Sequence, residues 1–328
     1  MICAERETVG DHQHLGLLKE VSFQPIFIMG DHRSGTTLLY QLLDATQRFN
    51  VVRAYHIIKY DEVLTNYLDQ QEESAKKQLG ELFNEIGVTD RLLDGVRVTP
   101  DLPEEYGFLL GQDFRPKLNP QNLSRLTELC RKIQFVSDPN RPLLLKNPWD
   151  FMNFMYVKEA FPEAKFIFLH RNPINLINSQ IKAARVLYES KSPYHSLLDS
   201  SYQQLWGRPF RLYMIRLLFS SHLDLGFRVA TRHVARTTRY FLDHVRLLAD
   251  RDYLSVRFED LCQDPQAIVT KILNFLGIGE NAAVGYGDFI QTRQARLLDE
   301  VQRNKTAILK RHCPYFVYCT YEFDGALQ

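Results

Sequence analysis

Short apolar runs alternate with amphipathic stretches along most of this chain, and their order predicts its elements. The run at about 23–29 (FQPIFIM) reads as a strand. It leads into Gly30-Asp-His-Arg-Ser-Gly35-Thr-Thr and an apolar-periodic helix, Leu38-Leu-Tyr-Gln-Leu-Leu43. An extended piece is expected over about 49–57 (FNVVRAYHI), then helices over 60–100 broken near Gly87 and Gly95. Further strands are expected at 142–146 (PLLLK), 165–170 (KFIFLH) and 253–257 (YLSVR). Helices are expected at about 149–161, 174–187, 227–250 and 265–276. Residues 189–210 read as a loop with short helices, and the last stretch as a charged helical segment with an aromatic tail.

Strands alternating with helices predict an α/β fold, a three-layer sandwich around a mainly parallel central sheet. No repeat or linker interrupts it, so one domain over 1–328 is expected. Its nucleotide-binding core would lie in 20–60 and 140–280, with helical insertions at 60–125 and 189–235.

Composition narrows the function classes. Lys plus Arg total 40 against 39 Asp plus Glu, which argues against a basic nucleic-acid arm or an acidic tail. The hydrophobic share of 45% fits a globular chain that needs no staples. The five cysteines form no CxxC pair and no zinc-like spacing, so neither a disulfide framework nor a metal is expected; Cys313 and Cys319 read as buried thiols. No run approaches the roughly 18 apolar residues of a membrane span. The opening MICAERETVGDHQHLG has no secretory pattern. A soluble, cytoplasmic protein with no membrane or nucleic-acid partner is the expectation.

Gly30 and Gly35 are spaced as in a phosphate-binding loop, between a strand and a helix start. Thr36 stands where a nucleoside triphosphatase has its lysine, and the loop's cation is Arg33. A planar guanidinium there suits a small tetrahedral oxyanion. A second anchor follows the strand at 165–170: Arg171 at its carboxyl end and Ser179 on the next helix could converge on one more phosphate.

These residues resemble a family, the sulfotransferases that use 3′-phosphoadenosine 5′-phosphosulfate (PAPS). Arg33-Ser34-Gly35-Thr36-Thr37-Leu38-Leu39 is similar to its 5′-phosphosulfate loop, and Phe168-Leu-His-Arg171-Asn-Pro with Ser179 to its 3′-phosphate signature. The blocks at 142–173 and 253–278 also resemble the family's and stand in its order. Arg33 in place of a loop lysine, Lys146-Asn147-Pro148 in place of Lys-Thr-His, and no C-terminal Arg-Lys-Gly resemble the bacterial and tyrosylprotein branch. The resemblance implies PAPS as co-substrate, adenosine 3′,5′-bisphosphate as product, no metal, and a small-molecule hydroxyl or amine acceptor. For the C-terminal cation the candidates are Arg303 and Lys305.

Sulfuryl transfer asks a protein mainly to position groups and neutralise charge on the leaving phosphate. Arg33, Lys146, Thr36 and Thr37 are the candidates. For the general base, His56 ranks first, because related sequences carry a Glu after the same helix; Glu104 and Glu105 follow, as base or acceptor ligands. His170 reads as packed under the sheet and His32 as a loop residue. Competing readings are an ATP-dependent P-loop phosphotransferase, which lacks its loop lysine here, and a non-catalytic nucleotide-binding protein.

Overall fold

The computed structural model describes residues 10–111, 116–221, 224–279, 285–290 and 296–322. The opening segment, with Cys3, lies mostly outside them. Five strands, β1 (Pro25–Met29), β2 (Asn50–Val51), β3 (Leu143–Lys146), β4 (Lys165–His170) and β5 (Tyr253–Arg257), form one sheet in the order β2-β3-β1-β4-β5. Every pairing is parallel; Phe27 of β1 lies opposite Leu145 on one side and Phe166 on the other.

Parallel neighbours need crossovers, and the crossover helices cover both faces. Side-chain alternation along each strand sorts the apolar residues into two cores. Phe27, Met29, Leu145 and Phe168 pack with Phe154 and Phe241 on one face. Ile26, Ile28, Leu144 and Ile167 pack on the other with Leu39 and Leu42 of helix Thr36–Ala45 and Ile272 of helix Pro265–Leu276. This is the expected three-layer arrangement. The chain leaves β1 toward one side of the sheet and β4 toward the other, so a crevice opens between their carboxyl ends, where ligands of such sheets bind.

One expected element is different. The extended piece at 49–57 is a strand for Asn50–Val51 alone, and Ala54–Ile58 is a helical turn. The Tyr40 hydroxyl accepts from the Val52 N–H (3.0 Å) and donates to the Leu144 carbonyl (3.1 Å), ending the strand, while His56 and Arg53 close a capping box. Periodicity could not see that stop, because it is set by a tyrosine on another element. Residues 189–210 are more helical than expected, with helices at Pro193–Leu198, Ser200–Trp206 and Pro209–Phe219. The long amphipathic helix ends earlier, at Leu225–His244. Cys313 and Cys319 are free thiols, Cys319 buried and Cys313 half-buried.

Candidate active site

The phosphate loop links β1 to the helix Thr36–Ala45. Gly35 has φ +100°, a left-handed conformation that side chains resist, and a Cβ there would run into the Phe258 ring. At Gly30 a Cβ would lie 2.9 Å from the Leu169 carbonyl. Both glycines therefore keep the turn tight enough for backbone N–H groups and the helix start to face an anion. Arg33 takes the left-handed region without being glycine, at φ +70°. That strain is held by the turn around it, including the Ser34 N–H to Asp31 carbonyl bond of 3.0 Å.

The structure brings the two predicted anchors together. Arg171 Nη1 donates to the Arg33 carbonyl at 2.5 Å, and Arg33 Nε donates to Ser179 Oγ at 3.4 Å. The Arg171 guanidinium also lies over the Phe258 ring, 4.5 Å from its centre. Phe258 thus supports Gly35 and Arg171 at once. Arg33 Nη2 reaches the Leu93 carbonyl, 3.1 Å away, so the 91–95 turn leans over the loop.

Lys146 ends β3 with no exposure to solvent. Its ammonium donates to Glu105 Oε1 at 2.8 Å and to Thr37 Oγ1 at 3.2 Å. Burial alone would raise the Glu105 carboxyl, but Lys146, Arg91 and His32 hold it at about 2. Arg91, also buried, lies 3.4 Å from Glu104 Oε1 and 3.5 Å from Glu105 Oε1. Burial opposes its charge, yet Glu104, Asp94 and Glu105 raise its pKa further. Glu104 accepts from the Tyr194 hydroxyl at 2.6 Å and is wholly buried.

His56 is held differently. Its Nδ1 accepts the Arg53 N–H at 3.1 Å, and burial together with Arg53 and Lys76 lowers its pKa to about 3. Those neighbours belong to its own turn and to the 72–85 helix, not to the lysine cluster. Burial likewise lowers His170 to about 3; its nitrogens meet Tyr315 and Ser255, the packed state expected of it. Arg303 pairs with Asp224 at 3.3 Å, and Lys305 starts the helix Lys305–Tyr318.

Three residues here escaped the sequence reading. Asp31 is buried and accepts from His233 Nε2 (3.0 Å) and Thr237 Oγ1 (2.9 Å), tying the loop to the helix Leu225–His244. Arg91 clamps both glutamates. Arg296 lends its carbonyl to Lys182 Nζ at 2.6 Å and Asn178 Nδ2 at 3.4 Å, beside Ser179. The basic stretch QTRQAR was the available signal for Arg296; the pairings of Asp31 and Arg91 depend on distant elements and left none.

At the phosphate loop, the buried donors Ser34 Oγ and Arg171 Nε have no hydrogen-bond partner among the described residues. Such orphans cost energy unless a ligand meets them, and both flank the loop. Among the described residues, no cluster of His, Cys, Asp and Glu could hold a metal ion, and no helix is long and apolar enough to cross a membrane.

Comparison with known proteins bears on the family and the fold. A family model described as the sulfotransferase family matches residues 25–215. The omega-hydroxy-beta-dihydromenaquinone-9 sulfotransferase Stf3 of Mycobacterium bovis is 25% identical over 271 residues, covering 78% of this chain and 63% of that protein. The chain thus spans less than two thirds of the length of that relative. A protein-tyrosine sulfotransferase of Drosophila melanogaster is 23% identical over 289 residues, 87% of this chain and 44% of its own. Among solved structures, sulfotransferase STF9 from Mycobacterium avium superposes with a TM-score of 0.64 at 16% identity, covering 96% of this chain and 81% of that one. It shares the fold.

Proposed function

The chain belongs to the sulfotransferase family, and we propose that it transfers a sulfuryl group from PAPS to a hydroxyl or amine of a small-molecule acceptor. The observation that carries this reading is the convergence of Arg33, Arg171 and Ser179 at one end of the crevice with Thr37, Lys146 and Glu105 at the other. The orphan donors Ser34 Oγ and Arg171 Nε fit a phosphorylated nucleotide. Ser34, Gly35, Thr36, Thr37 and Leu38 would cradle the 5′-phosphosulfate with backbone N–H groups and hydroxyls. Arg171 and Ser179 would hold the 3′-phosphate, with Arg33 spanning the two.

The co-substrate supplies an activated sulfuryl group. The chain's own residues then neutralise charge and move one proton. Lys146 is placed to donate toward the phosphate side as negative charge grows there. An ammonium that turns toward a polyanion leaves Glu105 without its main counter-charge, and its basicity rises. In this reading Glu105, rather than His56, would then take the acceptor's proton. In this reading the described residues of segments 60–125 and 189–235 would supply the walls of the acceptor pocket.

Thermal-shift titration with adenosine 3′,5′-bisphosphate, ADP and ATP tests the reading, followed by turnover on an acceptor panel scored by the mass gain of one sulfuryl group. Selective stabilisation by the bisphosphate with turnover supports it. Preference for ATP would favour phosphoryl transfer, and binding without turnover on any acceptor would favour a non-catalytic role.

A further inference from the structure

The helix Pro209–Phe219 turns apolar side chains outward. Phe210, Tyr213, Met214 and Leu217 are spaced at one helical face, and Phe210 is 75% and Tyr213 62% exposed. Its end packs on the start of helix Leu225–His244, where a Cβ on Gly226 would lie 2.8 Å from Phe219. There Leu225 and Val229 are exposed too, so the apolar surface continues across both helices. Isolated exposed apolar residues need no explanation, but a contiguous band of this kind does.

Charge singles out what covers it. From Arg208 to Arg239 the sequence carries seven arginines and one carboxylate, Asp224, in a chain whose net charge is +1. Asp224 is itself paired with Arg303. Arg228, Arg232, Arg236 and Arg239 are exposed on the same outer face as Leu225 and Val229. Arg228 and Arg232 also line a cavity of about 230 Å³ with Thr231 and Arg311. The Thr231 side chain is 8% exposed, and its hydroxyl has no hydrogen-bond partner there. Among the described residues none of these three arginines has a carboxylate within ion-pair distance. A basic pocket with a buried, unmet hydroxyl suits a tetrahedral phosphate.

We propose that this face docks on an anionic bilayer, with the aromatic and aliphatic side chains at the headgroup boundary and a lipid phosphate in the Arg228–Arg232–Arg311 pocket. Two adjacent amphipathic helices that together expose arginines and aromatics have the character of an interfacial element. On its inner side the helix Leu225–His244 touches the phosphate loop through His233 and Thr237, so docking sets the reaction crevice close to the membrane. The proposal goes beyond the sulfuryl-transfer reading and stands without it, because it concerns binding alone.

Co-sedimentation of the full chain with phosphatidylcholine vesicles, with and without a one-third share of phosphatidylglycerol, tests it. Binding is expected to the anionic vesicles only and to fall as salt rises. Each arginine replaced, as in Arg232→Gln or Arg311→Gln, weakens the partition by roughly fivefold, and Phe210→Ser with Tyr213→Ser weakens it independently of salt. Melting curves confirm that each variant is folded. Failure to bind anionic vesicles, or equal binding by folded variants, overturns the proposal. So does protection of the pocket by inorganic phosphate without any vesicle binding, which would mark a soluble ligand. A change of oligomeric state on Phe210→Ser in sedimentation velocity would assign the face to a second copy of the chain and overturn it as well.

Discussion

Lys146 and Glu105 meet at 2.8 Å in a site from which water is nearly excluded, and the lysine also reaches Thr37. A buried ion pair is stable only while both members are present. Lys146→Ala therefore has two expected consequences, a loss of stability of about 3–5 kcal/mol from the stranded carboxylate and a loss of turnover. Lys146→Ala with Glu105→Gln should regain much of the stability without regaining turnover. Denaturant titration and sulfuryl-transfer assays on the same variants separate the two effects.

Glu105→Gln keeps the shape and removes the carboxylate proposed as base. Turnover is expected to fall by about 10²–10⁴-fold with nucleotide affinity nearly unchanged. The pair also sets an acid limit. With the folded carboxyl at about 2 and an ordinary value of 4.5, its stabilisation is full above 4.5 and is lost as pH falls toward 2. Urea titrations at stepped pH should show that loss shrink in the Glu105→Gln protein.

His56→Ala is expected to act on stability and to leave turnover within a few-fold of the native rate. The cap it gives to the 54–58 turn is worth about 0.5–2 kcal/mol. Its folded pKa of about 3 lies below the ordinary 6.5, so it contributes stability above pH 6.5 that is lost as pH falls toward 3. A turnover loss of a hundredfold or more in a folded variant would return the base role to His56.

Arg171→Ala and Ser179→Ala should weaken adenosine 3′,5′-bisphosphate by about tenfold or more, from a lost charge-assisted bond of roughly 1.5–3 kcal/mol. Affinity for the form lacking the 3′-phosphate should hardly change. Calorimetric titration with both nucleotides decides it, since equal losses would place the 3′-phosphate elsewhere.

Phe258 is expected to matter for binding although it carries no charge. It packs under the Arg171 guanidinium and against the place where Gly35 has no side chain. Phe258→Ala should lower nucleotide affinity. Gly35→Ala should lower it further, since the left-handed backbone costs roughly 1–3 kcal/mol for a side chain even after the ring is removed. The double variant tests this, because full recovery would leave the clash as the sole cause.

Much of the core was legible because its signals are local. The apolar run of β4 and the glycine spacing after β1 each declare themselves within ten residues, and so do Arg33, Arg171 and Ser179. What was not legible depends on partners far along the chain. The strand at 50–51 stops on Tyr40, Asp31 is held by a helix two hundred residues later, and Arg91 shows its role only beside Glu104 and Glu105. His56 illustrates the same limit from the other side. Its position in sequence gave no hint that its Nδ1 would accept the Arg53 N–H of its own turn.

The shortness of β2 has a consequence for how molecules of this protein meet one another. A sheet margin offers unpaired N–H and C=O groups that a stray strand can extend, and long bare margins invite aggregation. Here the margin beyond β3 is only two residues long, Asn50 and Val51. At the opposite margin Arg257 and Ser255 are tied to Thr320 and Tyr318 at the end of the last described helix. The sheet is thereby closed to extension at one side by brevity and guarded at the other by the chain's own tail, which leaves a parallel, slow-forming core with little to offer a neighbour once it has folded.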